Sequence, residues 1–397
     1  METNNLDKNE QKDLRPIHIL YFPSDTKNGV WYYRTKMPMF SMTNMSNDFN
    51  VNISNHIDFG RKDVLDNIVE HCDIFIFHNG IFNAEYQDGF WKALIYLRKN
   101  GVKIVMDIDD YWNYGPDHPM VDYCIVNAVP EKTKMNFELV DAITTTTEYF
   151  AEKIRKTTKT PVKVLPNGIS FRDEQFSEIK NPSNKVRFGL TGGASHINDV
   201  KQLLDFPKFL SKGDLDRIEL VFCGYDLSGN RISLDENGIK VKEEELPIED
   251  NWWWQTEQHW KKYFDDEHYL RIPTKKIDQK EYGQIYKDID VLLVPLKPSE
   301  FNSCKSELKF IEAGFTNTAI IATNTGPYRE YGRDKIDCEL VKECNPRAWA
   351  GKIHKLLNDK YRKELTENLH NRIVMERSLE FLNIDRMNFY KSLVGRN

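Results

Sequence analysis

The chain has few cysteines and no pattern among them: Cys72, Cys124, Cys223, Cys304, Cys338 and Cys344 form no CxxC pair and no regular spacing. Neither a zinc site nor a disulfide framework is expected, and reduced thiols in the cytoplasm fit this usage. No stretch reaches the roughly 18–20 apolar residues that would span a bilayer, and the first fifteen residues lack the apolar centre of a signal peptide. Peripheral membrane contact stays open. Charge of one sign is not in excess either. The formal net charge is −6, which disfavours a surface built to coat nucleic acid through bulk electrostatics. Neither GxGxxG nor GxxxxGK[ST] is present, and there is no Ser-His-Asp nucleophile elbow, zinc-protease motif or internal repeat.

What is present is length and apolar content. With 397 residues, 40% hydrophobic and 12% aromatic, the chain is expected to build two or three cores. Short apolar runs alternate with amphipathic stretches, the mark of parallel sheets covered by helices on both faces. Strands are expected at 17–22, 73–77, 103–107, 142–145 and 162–165, and again at 186–190, 218–223, 291–295 and 319–322. A polar break, SEIKNPSN at 177–184, separates the two series. The expected architecture is α/β, with two tandem Rossmann-like doubly wound domains: a polar tail at 1–15, a first domain at 16–176, and a second at 185–377. The segment 225–278 loses the rhythm and reads as an insertion. Its Trp252, Trp253, Trp254 and Trp260 are expected in packing, with a sugar platform or docking surface as the alternative.

The densest polar constellation is FNSCKSELKFIEAGF, following the buried run VLLVPL. Asn302 or Ser303 is a good N-cap for a helix expected over 305–314, with Ser306 in its first turn. Lys305, Lys309 and Glu312 then share a face. Backbone N–H groups, a hydroxyl and two ammonium groups would form an anion site suited to a diphosphate, with Glu312 able to accept from ribose hydroxyls. The alternative is a solvated face with Lys–Glu pairing. A second constellation, RFGLTGGASHIND, runs a strand into Gly192 and Gly193, then Ser195 and His196 at a helix start. Close backbone approach to an anion is one reading and a plain strand–helix turn the other.

In the first half, DTKNGVWYYR places Gly29, Tyr33 and Arg34 in and after a glycine loop. VMDIDDYW places Asp107, Asp109 and Asp110 at the carboxyl end of a strand, where such sheets build sites. They could hold a metal, or cap the next helix and bind hydroxyls. His78 also ends a strand, as a ligand contact or as a satisfied loop histidine.

These segments together resemble the GT-B glycosyltransferases, close to the family 4 retaining enzymes. The resemblance rests on GVWYYR, on ITTTTEYFAEKI followed by VKVLPNGI, and on IYKDIDVLLVPL before KSELKFIEAGFTNTAIIATNTGPYREY. It implies two domains facing across a cleft, a nucleoside diphosphate sugar as donor on the second and a hydroxyl acceptor on the first. The acceptor would be a glycan, a lipid-linked saccharide or a protein. No prosthetic group is implied, and a metal is not required. The final stretch, 378–397, resembles the helix that returns to the first domain.

By position, Glu312 matches the second glutamate of the family's E-x7-E element, while Cys304 stands where the first belongs. Together, the residue patterns and the resemblance imply Gly192, Gly193, Ser195, His196, Asn302, Ser303, Lys305, Ser306, Lys309 and Glu312 as donor contacts. Acceptor contacts would be Gly29, Tyr33, Arg34 and His78, with Lys305, Asp109 and Asp110 acting in catalysis. The main task is to stabilise the departing diphosphate, and one well-aimed donor can supply about 3–4 kcal/mol. In a retaining front-face course the departing phosphate can itself take the acceptor's proton. The sequence also admits two further readings. One is glucosylation of hydroxymethylated DNA bases through Lys153, Lys156, Lys159 and Lys163, or through Lys261, Lys262, Lys275 and Lys276. The other is a silent nucleotide-sugar-binding module.

Overall fold

A computed structural model describes residues 15–26, 29–81, 84–116, 118, 120–192, 196–234, 240–273 and 281–396. The chain divides into two units. The first comprises the chain up to Asn113, Asn127–Phe171 and the chain from Arg377. The second comprises Tyr114–Val126 and Arg172–Glu376. The expected boundaries shift accordingly: 172–176 and 114–126 belong to the second unit. Tyr114 and His118 are held there by the Phe301 ring, with centroids 5.1 and 4.6 Å away.

The first unit is a six-stranded parallel sheet of β1 (Ile17–Phe22), β2 (Phe49–Ile53), β3 (Ile74–His78), β4 (Lys103–Asp107), β5 (Ala142–Thr145) and β6 (Val162–Val164), in the order β2-β1-β3-β4-β5-β6. β3 is buried along its whole length, as a strand covered on both faces must be. The terminal helix Leu379–Leu393 belongs to this unit, and Tyr390 joins the core of Ile17, Ile19, Met39 and Ile74. Arg15, expected in the polar tail, is ordered by an ion pair with Asp73.

The second unit contains β7 (Val186–Thr191), β8 (Ile218–Tyr225), a hairpin of β9 (Asn230–Leu234) and β10 (Lys240–Glu245), β11 (Tyr269–Pro273), β12 (Val291–Val294), β13 (Ala319–Thr323) and β14 (Glu339–Val341). Its parallel sheet has the order β11-β8-β7-β12-β13-β14. The supposed insertion is therefore only partly one. The hairpin stands outside the sheet, but helix Trp252–Trp260 and β11 form a regular crossover unit that extends it. Trp252, Trp253 and Trp260 are core residues, and two indole N–H groups donate to the carbonyls of Gly224 and Leu204 at 2.8 Å. Of these tryptophans, only Trp254 is half-buried.

The polar break is tethered by Lys180, whose ammonium donates to the carbonyls of Tyr286 and Ile289 at 2.8 Å and to Thr318 at 2.6 Å. Burial lowers its pKa from 10.5 to about 7, against the attraction of Asp290. Between these values the unfolded chain holds a proton that the folded chain has lost, so stability rises with pH across this window and is flat below it on this group's account. Lys180→Met should reduce the rise in unfolding free energy between pH 7 and 10, read from urea titrations. An unchanged slope would show that the amine titrates normally.

Candidate functional site

In a doubly wound sheet the crevice lies beyond the carboxyl ends of the strands, where the order reverses. In the second unit that reversal falls between β7 and β12. The chain leaves β7 at Gly192, with φ +149° and so little room that a Cβ would lie 2.9 Å from the His196 ring. His196 Nδ1 is 2.8 Å from Asp199 Oδ2. The other oxygen of Asp199 accepts from the Lys297 backbone N–H at 2.6 Å and from the Asn302 amide at 3.3 Å. Asp199 thereby bolts the loop after β7 to the loop after β12. The loop after β13 closes on the same place. At Gly326, with φ +49°, a Cβ would meet the Asn302 carbonyl at 2.9 Å.

The expected helix over 305–314 begins later. Ser299 caps a short helix, Glu300–Ser303, by accepting from the Asn302 N–H at 3.0 Å. The chain then turns at the buried Cys304, and the main helix is Leu308–Phe315. Asn302 and Ser303 therefore lie in the earlier helix and do not cap the later one. Lys305 and Ser306 sit in the turn between them, with the Lys305 ammonium 4.8 Å from the Phe301 ring centroid.

Lys309 and Glu312 do share a face, in a partly buried network that adds two tyrosines. Lys309 Nζ donates to Glu312 Oε2 and to the Tyr282 hydroxyl, both at 2.8 Å. The Tyr286 hydroxyl donates to the same Glu312 oxygen at 2.6 Å. Burial alone would lower the Lys309 pKa, but the Glu312 charge more than reverses this and holds the ammonium charged. The Lys–Glu pair is thus formed on a face that is not solvated throughout: the Glu312 side chain is 1% exposed and that of Lys309 21%.

The first unit's order reverses between β1 and β3. Ser24 follows β1 and is exposed, and its Oγ lies 2.7 Å from Nδ1 of the buried His78 at the end of β3. His78 Nε2 is 2.9 Å from Asp109 Oδ1, after β4. Burial favours neutral imidazole, but the charge and hydrogen bond of Asp109 prevail and raise the His78 pKa. Burial likewise opposes ionisation of Asp109, and His78 overcomes it to hold the carboxyl below its ordinary value. Asp110 is half-buried, and Gly29 is exposed at the start of a helical segment whose Tyr33 is buried.

Arg34 requires correction. Expected as an acceptor contact, it lies in the core, 4% exposed. Its guanidinium donates to both Asp107 oxygens at 3.0 and 2.6 Å, to the Leu165 carbonyl at 2.7 Å and to Asn167 at 3.1 Å. Asp107 also accepts from Tyr21 and Thr144. Its oxygens are spent inside the sheet, which separates it from Asp109 and Asp110. Among the described residues no cluster of three or more His, Cys, Asp or Glu is placed to hold a metal.

No family profile matches the chain, and no curated protein does. Solved structures do. HepE of Anabaena, in complex with UDP and glucose, superposes with TM-score 0.62 at 12% identity over 95% of this chain and 100% of that one. A glycosyltransferase from Rickettsia africae gives 0.60 at 11% over 97% and 100%. Sucrose-phosphate synthase from Thermosynechococcus elongatus gives 0.61 at 13% over 96% and 99%.

The chain has the GT-B fold. Within this GT-B chain, tertiary structure brings Gly192, His196 and Asn302 together and leaves Lys309 and Glu312 in their own network. Gly193, Ser195, Lys275 and Lys276 lie outside the described residues. Of the lysines considered for DNA, Lys163 is paired with Asp385 and Lys261 with Glu257, at 2.6 and 3.1 Å. Tyr282, Tyr286 and Ser24 were missing from the expected site, and Asp199 was expected on the helix of His196 without a role of its own. Asp199 was legible as the helical i+3 neighbour of His196; the others had no local signal. Among the described residues no helix is long and apolar enough to cross a membrane.

Proposed function

We propose that this protein is a glycosyltransferase that moves a sugar from a nucleoside diphosphate sugar to a hydroxyl acceptor in the cytoplasm. The observation that carries the reading is the convergence of three loops at the carboxyl ends of β7, β12 and β13, bolted by Asp199, in a fold shared with a structure that holds UDP. The diphosphate would lie against the narrow turn at Gly192, with His196 and the Lys305–Ser306 turn supplying donors. As the bond from the anomeric carbon to the diphosphate breaks, charge builds on the leaving oxygen. Fixed donors in a water-poor crevice stabilise that charge more than they stabilise the ground state. Lys305, in the turn after Asn302, is the cation proposed for this task, and we infer transfer without a metal, and with retention, as the resemblance implies. Glu312, oriented by Lys309 and Tyr286, is the proposed ribose contact. The acceptor is a hydroxyl of a glycan, lipid-linked saccharide or protein, bound near His78 and Asp109.

The test is thermal stability with UDP-glucose and related nucleotide sugars. A bound donor at about 100 times its Kd should add about 2.7 kcal/mol. Asp199→Ala and Lys305→Ala should each remove most of that gain, and UDP release should persist in EDTA. An undiminished gain in both variants would reject this placement of the donor. Activity lost in EDTA and restored by magnesium would reject the metal-free course.

A further inference from the structure

In the second unit the segment from Arg172 to the start of β7 forms no helix or strand, yet it is fastened at several points to one element. That element is the 3-10 helix Tyr282–Asp288. It is seven residues long, where such helices rarely run beyond about four, and Glu281 before it supplies no side-chain cap. Its end groups are met from outside instead. Oε1 of the buried Gln175 accepts from the Gly283 N–H at 2.8 Å, and the Gln175 carbonyl accepts from the Gln284 amide at 3.1 Å. The approach is so close that a Cβ on Gly283 would lie 2.7 Å from that carbonyl oxygen. At the other end Lys180 donates to the Tyr286 carbonyl, and the Asn181 backbone N–H donates to that of Lys287 at 2.9 Å. The same helix carries both tyrosines of the Lys309–Glu312 network: Tyr282 accepts from Lys309, and Tyr286 donates to Glu312.

We propose that Gln175 is a positioning residue for the donor: it fixes the helix whose Tyr286 aims the Glu312 carboxylate at the ribose. This rests on the reading of Glu312 as the ribose contact and extends it to the segment that precedes β7. Without the acceptor at Gly283, the first turn of the helix keeps a buried N–H unpaired and gains by unwinding toward water. Tyr286 then holds its hydroxyl less firmly, and the Glu312 carboxylate loses one of the bonds that fix its orientation. Coupling of this kind is reciprocal. A nucleotide that bonds Glu312 in its aimed position must also tighten the helix and its hold on Gln175.

Calorimetric titration of the whole chain tests this, using whichever of UDP, ADP and GDP binds most tightly. Gln175→Met keeps the volume and removes the acceptor. It should weaken binding about 5-fold or more, the lower end of ordinary coupling between sites, and so should Tyr286→Phe. In the double variant the two losses should not add, because both changes break the same chain of contacts. A residue that only stabilised the fold would lower the melting temperature and leave the affinity of the folded molecules as it was. Hydrogen exchange on the unaltered protein gives an independent reading, since bound nucleotide should slow exchange of the Gly283 amide by about the same factor. Unchanged affinity in Gln175→Met, additive losses, or a Gly283 amide indifferent to nucleotide would each overturn the positioning role. If Tyr286→Phe binds as wild type does, Glu312 leaves the donor site and the role of Gln175 goes with it, while the glycosyltransferase reading stands. If wild type binds none of the three nucleotides, that reading itself fails, and Gln175 has no donor to position.

Discussion

Replacing Arg34 with methionine is expected to lower the unfolding free energy by about 3–5 kcal/mol, because it leaves the Asp107 carboxylate buried without its counterion. The geometry sets the size of this effect. Both oxygens of Asp107 accept from the guanidinium, and both residues are nearly inaccessible. Burial alone would raise the Asp107 pKa, yet Arg34 holds it below the ordinary carboxylate value. That stability is present above the unfolded carboxyl pKa and is lost as pH falls through the depressed folded value. The loss should therefore be largest near neutrality and shrink in acid. The double variant Arg34→Met/Asp107→Leu should recover much of the loss, since removing both charges is less costly than stranding one. Urea unfolding at two pH values measures this directly. A single variant within about 0.5 kcal/mol of wild type, the range usual for surface sites, would mean the pair is open to water.

The second large effect is expected at Glu312. Glu312→Ala strands the Lys309 ammonium and removes the acceptor of the Tyr286 hydroxyl, at a cost of about 3–5 kcal/mol. The same variant should lose donor-induced stabilisation, so on its own it mixes structural and binding losses. Lys309→Met with Glu312→Leu separates them. Without a stranded charge, most of the stability should return, but the UDP-glucose thermal shift should stay absent because no carboxylate meets the ribose. A full shift in the double variant would leave Glu312 a packing residue and remove it from the donor site.

How far the sequence reaches is visible strand by strand. β1, β4 and β5 were legible to the residue, each as a short run rich in strand-forming residues, IHILYF, KIVMD and AITT, bounded by polar segments. β2, β11 and β14 were not, and each is an edge strand of its sheet. The edge strand β2 reads FNVNI, with only its first residue buried, and β14 is three residues long. Neither differs locally from a loop. Missing β11 is what made a regular crossover look like an insertion.

The sites divide along the same line. The pairing of Lys309 with Glu312 and of His196 with Asp199 follows from helical spacing alone, since residues three apart lie on one face. The places of the recognised strands along the chain, and the residues at their carboxyl ends, were likewise legible in the apolar runs, whereas the order of strands within each sheet came from the tertiary structure. Which of those residues meet was decided only by tertiary structure. Arg34 and Asp107 are 73 positions apart, and Ser24 and His78 are 54 apart. No periodicity links residues across such distances. They meet because a parallel sheet lays separate strands side by side and delivers their ends to one edge.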